Sequence, residues 1–368
     1  MPNAFVRLQP HVTNQLPEIA PRVVTGIIGD RPSQYAKTPV LWNAVFREFE
    51  WDAVSQPWDL ESRQLSAFLE AARQCEDLLG FSVTVPFKTA VVPLLDDLDP
   101  LARDVGAVNT VVRQSNGHLV GSNTDAQGAI DAITGELPGR SGRFLDTVKG
   151  RRVVLIGAGG AARAVAFALA TEMGNTGSLS IVNRAGLKAE ELATAVCRVH
   201  GIGKAASETD LNSLLANADL VVNASTKGQA GWRQGSAGGA FILEPYSALA
   251  PASPTQLDAS VTLDSRASRE WFVSNCDDIN SNAQTAREAI RVLSDTASCF
   301  DLVYAPLETR FLADARLAGH QTMNGKWMNI GQAADAFVRK VCASELDARG
   351  IESEVAYRTV FERMAEVW

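Results

Sequence analysis

The chain has 368 residues, 46% of them hydrophobic and 21% charged, with a formal net charge of −8 and a pI near 5.2. That length is more than one core usually organises, so two domains are expected in an ordinary globular composition, and the acidic balance argues against nucleic acid or an anionic membrane as main partner. The five cysteines are odd in number and scattered without a CxxC spacing, which argues against a disulfide framework or a metal site. No window reaches the roughly 18 apolar residues of a membrane span. Residues 1–22 lack the apolar run of a signal peptide, so the cytoplasm is the expected location.

Taken in order, Val23 to Asp30 reads as a buried strand ending in a Gly-Asp turn. A helix follows from Pro39, with Thr38 as its N-cap and Val40, Leu41, Ala44, Val45 and Phe46 at helical spacing. Leu60 to Leu79 reads as an amphipathic helix stopped by Gly80, then Phe81 to Val85 as a strand and Ala90 to Leu95 as a helix. Val108 to Arg113 and His118 to Gly121 form strand-like runs around an Asn-Gly turn, the clearest hairpin signal in the chain. The helix Ala126 to Ile133 places Asp125 at a helix start, where negative charge is favoured. Residues 137–149 read as a linker. Beyond them, short apolar strands at Val153 to Ile156, Leu179 to Val182, Leu220 to Val222 and Phe300 to Val303 predict a parallel sheet buried on both faces. The stretch from Gln229 to Ser298 has one helical pattern, near 283–293, and is too long to be structureless in a compact domain. Glu345 to Trp368 reads as an amphipathic helix with Val355, Val360, Met364 and Val367 on its apolar face.

Gly157-Ala158-Gly159-Gly160-Ala161-Ala162 follows an apolar strand and precedes a strongly helical run. In that context the glycines let backbone approach a pyrophosphate, while the helix N-terminus supplies N–H donors and a positive dipole. At the end of the next strand, where an NAD site carries an acidic residue, stand Asn183 and Arg184, with Lys188 one turn on. A guanidinium suits a 2′-phosphate, so NADP is favoured over NAD.

Lys88 and Asp125 lie at the ends of two strand-like runs. Taken singly, each reads as half of a surface ion pair. Brought together, an ammonium and a carboxylate form a proton-handling pair, and beside a dinucleotide cradle that suggests hydride transfer to or from an alcohol.

The strings Ser82 to Lys88, Gly106 to Thr110, Asn123-Thr124-Asp125, Gly157 to Ala162, Asn183-Arg184 and Asp301 to Thr309, in that order, closely resemble the shikimate dehydrogenase family. The resemblance implies an N-terminal substrate-binding α/β domain (20–125 plus 320–368) and a Rossmann-type NADP-binding domain (126–319, with an insertion at about 229–298). Between them would lie an active-site cleft. It implies reversible NADP-linked oxidation of a ring hydroxyl in shikimate or a close relative, a small cyclic polyol carboxylate. Lys88 and Asp125 match the family's catalytic pair. Thr84, Asn109 and Gln332 match positions that bind ring hydroxyls, and Tyr304 matches a cleft tyrosine. Ser225 and Thr226 fall in a loop beneath the cofactor, and Gly325 falls at a turn near the nicotinamide.

The chain also departs from the pattern. Of two hydroxyls expected to hold the substrate carboxylate, Thr38 is retained and Ala36 has none. Ser82 replaces a longer asparagine, Lys326 and Trp327 are bulky for positions near the cleft, and the 229–298 segment has no counterpart in compact members. Quinate or an aminoshikimate therefore stay open as substrates. A non-catalytic sensor of such ligands is the competing class, against which the intact Lys88, Asp125 and glycine turn weigh. A homodimer is left open.

Overall fold

The computed structural model describes residues 3–235 and 238–368. Its chain divides into two compact units. The first holds the chain up to Asp146 with Arg163–Ala168 and Trp327–Trp368; the second holds Thr147–Ala162 and Leu169–Lys326.

The first unit is built on six strands: β1 (Val23–Gly29), β2 (Ala53–Asp59), β3 (Leu78–Val83), β4 (Asp97–Leu98), β5 (Thr110–Arg113) and β6 (Leu119–Ser122), in the order β2-β1-β3-β5-β6-β4. The strand β1 is buried along its whole length and pairs in parallel with β2 and β3, as expected of a run in which Thr25 is the one polar side chain. The hairpin at 110–122 forms as expected, closed by His118 O accepting from Gln114 N at 2.8 Å. On one face, Trp58, Phe68 and Phe81 pack with ring centroids 5.5–6.2 Å apart. The other core joins helix Thr38–Glu48 to the C-terminal helices through Trp42, Phe46, Phe337 and Phe361.

Among its described residues the second unit holds eight strands: β7 (Arg152–Ile156), β8 (Ser178–Val182), β9 (Lys204–Ala206), β10 (Leu220–Asn223), β11 (Trp232–Gln234), β12 (Ala240–Ile242), β13 (Ser298–Asp301) and β14 (Gln321–Met323). Six of them make one wholly parallel sheet, β14-β13-β10-β7-β8-β9; β11 and β12 form a separate hairpin. Counted from β7, that order is 3-2-1-4-5-6, the Rossmann arrangement. The strand order reverses between β7 and β10, and the carboxyl ends there are where such sheets bind ligands.

Several expectations need correction. Thr38 is the first residue of its helix rather than the cap, which is Lys37. The proposed helix 60–79 is a short 3-10 turn and then Leu65–Arg73; Gly80 lies inside β3, paired with Thr25 and Val112. Leu78, Leu79 and Phe81 are equally apolar on either reading, and sheet pairing decides for the strand. The 90–95 helix reduces to Phe87–Ala90 and a 3-10 turn at Val92–Leu94. The strand placed at 300–303 is β13, two residues earlier. The C-terminal helix is split into Ala343–Ala348 and Ser353–Val367, and Val355 is 60% exposed. The polar lead-in contains a helix, Ala4–Leu8, whose Phe5 and Leu8 are buried in the first core. Segment 229–298 is folded, with the β11–β12 hairpin and helices Ser265–Ser274 and Cys276–Val292.

Candidate active site and nucleotide cavity

In the first unit, β3 ends at Val83 and the chain turns through Thr84 into the short helix Phe87–Ala90, anchored by the buried Phe87. Lys88 leaves this helix. Asp125 opens helix Asp125–Thr134 directly after β6, and the helix dipole favours its charge. The Lys88 Nζ donates to Asp125 Oδ2 at 2.5 Å, with side chains 17% and 7% exposed. So shielded a contact is stronger than a surface pair, because little water screens it.

The buried Asn109 braces the carboxylate. Its Nδ2 donates to Asp125 Oδ1 and Thr124 Oγ1, both at 2.9 Å, and to Gln332 Oε1 at 3.2 Å. Its Oδ1 accepts from Thr124 N at 2.9 Å and Thr110 Oγ1 at 3.0 Å. Thr124 Oγ1 reaches Gln332 O at 3.0 Å, and Asn123 Oδ1 accepts from Asp125 N at 3.1 Å. Four residues singled out from sequence, Lys88, Asp125, Asn109 and Gln332, therefore share one network. Asn123 and Thr124 belong to it too; they directly precede Asp125 in the chain, but their structural role appears only with their partners.

The other substrate-binding candidates in this unit are placed nearby in the chain. Ser82 is buried in β3, in register with Ile27 and Thr110. Half-buried Thr84 donates its backbone N–H to Ile28 O at 2.9 Å. Thr38 is buried at its helix start. Around Ala36, Tyr35 Oη donates to Asp30 Oδ1 at 2.9 Å, and Lys37 Nζ lies 5.4 Å from the centroid of the Trp368 ring. Trp327 stacks on Phe361 at 6.3 Å, which assigns its bulk to packing.

In the second unit, β7 runs into Gly157, whose φ is +119° and where a Cβ would stand 2.8 Å from Ala224 backbone. Only glycine fits that turn. Gly159 caps helix Gly160–Met173, which begins Gly160-Ala161, and a Cβ there would meet nothing within 4 Å, so the turn through Ala158 leaves open space above a helix N-terminus. This is the form a pyrophosphate cradle takes. A cavity of about 200 Å³ joins Gly157 to Asn183, Arg184, Ser225 and Thr226; one of about 660 Å³ also meets Asn183 and Arg184. Arg184 is exposed at this rim, whereas Lys188 lines neither cavity and is exposed on helix Gly186–His200. The glycine turn, the open helix end and the guanidinium fit a phosphorylated dinucleotide.

Beneath the turn, Asn223 Nδ2 donates to Asp301 Oδ1 at 2.9 Å, and Asn223 Oδ1 accepts from Ser225 N at 3.0 Å. Asp301 also accepts from Thr309 Oγ1 at 2.7 Å and Val303 N at 2.9 Å. Burial pushes its carboxyl up to about 7 despite these donors. Tyr304 follows on the same loop; burial raises its phenol and the nearby Arg233 pulls it back. Gly325 sits where a Cβ would strike Leu302 O, holding its turn against that loop.

A family model described as the shikimate dehydrogenase substrate binding domain matches residues 27–111, and one described as shikimate / quinate 5-dehydrogenase matches residues 141–235. A shikimate dehydrogenase (NADP(+)) of Moorella thermoacetica is 33% identical, covering 85% of this chain and 87% of its own. Among solved structures, the quinate dehydrogenase of Corynebacterium glutamicum in complex with NAD matches with a TM-score of 0.65 and 26% identity, over 94% of this chain and 98% of its own. The shikimate 5-dehydrogenase of Thermus thermophilus in complex with shikimate matches with a TM-score of 0.59 and 27% identity, over 92% and 99%.

Proposed function

The chain belongs to the shikimate dehydrogenase family, and we propose on that premise that it is an NADP-dependent oxidoreductase. The reaction is reversible oxidation of a ring hydroxyl of shikimate to 3-dehydroshikimate. The first unit binds the substrate and the second the dinucleotide. The observation that carries this reading is the shielded Lys88–Asp125 contact, braced by Asn109.

In the oxidation, the hydroxyl proton passes to the Lys88–Asp125 pair as the carbinol C–H leaves as hydride; in the reduction, Lys88 returns a proton to the new alkoxide. Bound NADP supplies the hydride acceptor, or as NADPH the donor. Asp125 keeps the ammonium oriented and balances its charge, and Asn109 prevents the carboxylate from rotating away. Thr38, Ser82, Thr84, Asn109, Gln332 and Tyr304 bind the substrate's oxygens. Gly157 to Ala161 with Ser225, Thr226 and Gly325 hold the dinucleotide, and Arg184 with Asn183 receives the 2′-phosphate, whereas Lys188, outside both cavities, adds only its positive charge nearby.

Quinate is the second substrate to consider, because a quinate dehydrogenase covers nearly the whole chain and Ala36 and Ser82 alter the site. A cytoplasmic location fits five cysteines that are all free thiols. The test is initial-rate oxidation of shikimate, quinate and aminoshikimate with NADP⁺ and NAD⁺. Shikimate with NADP⁺ should give the highest kcat/KM; turnover of none of the three would reject the proposal.

A further inference from the structure

The two cavities that meet Arg184 take part of their walls from the segment between β10 and β13. Leu249, Pro251 and Thr285 line the larger; Phe241, Leu243 and Ala252 line the smaller. This wall is held from behind. Asn282, 2% exposed on helix Cys276–Val292, accepts from Ser247 N at 2.8 Å. Its Nδ2 donates to the carbonyls of Ser247 at 3.2 Å, Ala250 at 3.1 Å and Pro251 at 2.9 Å. Lys227, on the loop after β10, donates to Ala250 O at 2.6 Å and pairs with Glu208 at 2.9 Å, and Glu208 itself lines both cavities. Gly228 N donates to Leu243 O at 2.9 Å.

A buried amide bonded to one stretch of backbone through both its oxygen and its nitrogen fixes that stretch, so the wall is formed before any ligand arrives. Preformed apolar surface facing a few polar and cationic groups is what a nucleotide pocket presents. Resting on the dinucleotide reading above, we propose that this segment is part of the cofactor site: Phe241, Leu243, Leu249, Pro251 and Ala252, with Thr285 at their edge, supply the apolar wall of the cavities that Arg184 lines. The wall acts on the parts that NADPH and NADH share, whereas Arg184 acts on the 2′-phosphate.

Direct binding of NADPH and NADH to the full chain, by calorimetry or nucleotide fluorescence, tests this without turnover. Thr285→Trp fills the larger cavity from a half-exposed position, and Phe241→Ala removes a half-buried ring from the smaller. Each should raise Kd about tenfold for both nucleotides with little change in melting temperature. If one variant does not fold, the other decides. A Kd within twofold of wild type, or a loss confined to NADPH, would overturn the inference while wild-type binding stands. Failure of the wild-type chain to bind NADPH would instead remove the functional reading beneath it.

Discussion

Asn109→Asp replaces one nitrogen by oxygen and leaves the packing intact. It puts a second carboxylate where Nδ2 now donates to Asp125 Oδ1 at 2.9 Å. Two unit charges about 3 Å apart repel by roughly 5 kcal/mol at an effective dielectric near 20. Holding one ordinary carboxyl protonated at pH 7, about 3 units above its reference value, costs about 4 kcal/mol. Protonation is the cheaper escape, so the pair should share a proton, which then bridges the two oxygens. The stability deficit should therefore be about 4 kcal/mol at pH 7 and roughly 1.5 kcal/mol at pH 5, falling by 1.36 per unit. Urea denaturation of wild type and variant at both pH values, with unchanged m, measures this. An equal deficit at the two pH values, or less than 1 kcal/mol at pH 7, would refute the hub assigned to Asn109.

Other expectations rest on the second unit. Arg184→Ala should weaken NADPH at least tenfold and leave NADH nearly unchanged, read as two Kd values; equal losses would place the 2′-phosphate elsewhere. Gly157→Ala should abolish dinucleotide binding and lower the melting temperature, because its Cβ has no room against Ala224. For Asp301 the folded carboxyl is raised to about 7, so its neutral form is the one the fold prefers. Its contribution is full below about pH 4 and is lost as pH rises through 7, up to about 4 kcal/mol. Asp301→Asn mimics the neutral form and should be more stable than wild type at pH 8, with a flatter melting profile between pH 4 and 7. A variant less stable at pH 8 would mean that the hydrogen bonds to Asn223 and Thr309 require the charge.

What the sequence made legible was local. The Asn-Gly hairpin, the strand β7 with its glycine turn, and the ends of β8 and β10 each carry their instruction within a few residues, and the structure keeps them. Elements fixed by distant partners were harder to read. Leu78 to Gly80 joins a strand only because β1 and β5 lie alongside. Helix Ala4–Leu8 is too short to show a period, and its Phe5 matters only through the core it covers. Segment 229–298 hides its fold because its small core gathers Leu243, Tyr246, Ala252 and Trp271 from far apart, and helix Cys276–Val292 turns a polar Asn282 inward. The candidate site divides in the same way. Lys88, Asp125 and Asn109 could be read from their strings, while the bracing by Thr124 and the wall at 241–252 depend on tertiary neighbours.

In the proposed reaction the Lys88–Asp125 pair moves the substrate's proton. Lys88→Met keeps the length of the side chain and removes the ammonium. Rapid kinetics should show hydride transfer slowed by about 10²- to 10⁴-fold, the share a positioned acid–base group supplies, with the Kd for NADPH unchanged. A variant that transfers hydride within a few-fold of the wild-type rate would rule out that role for the pair.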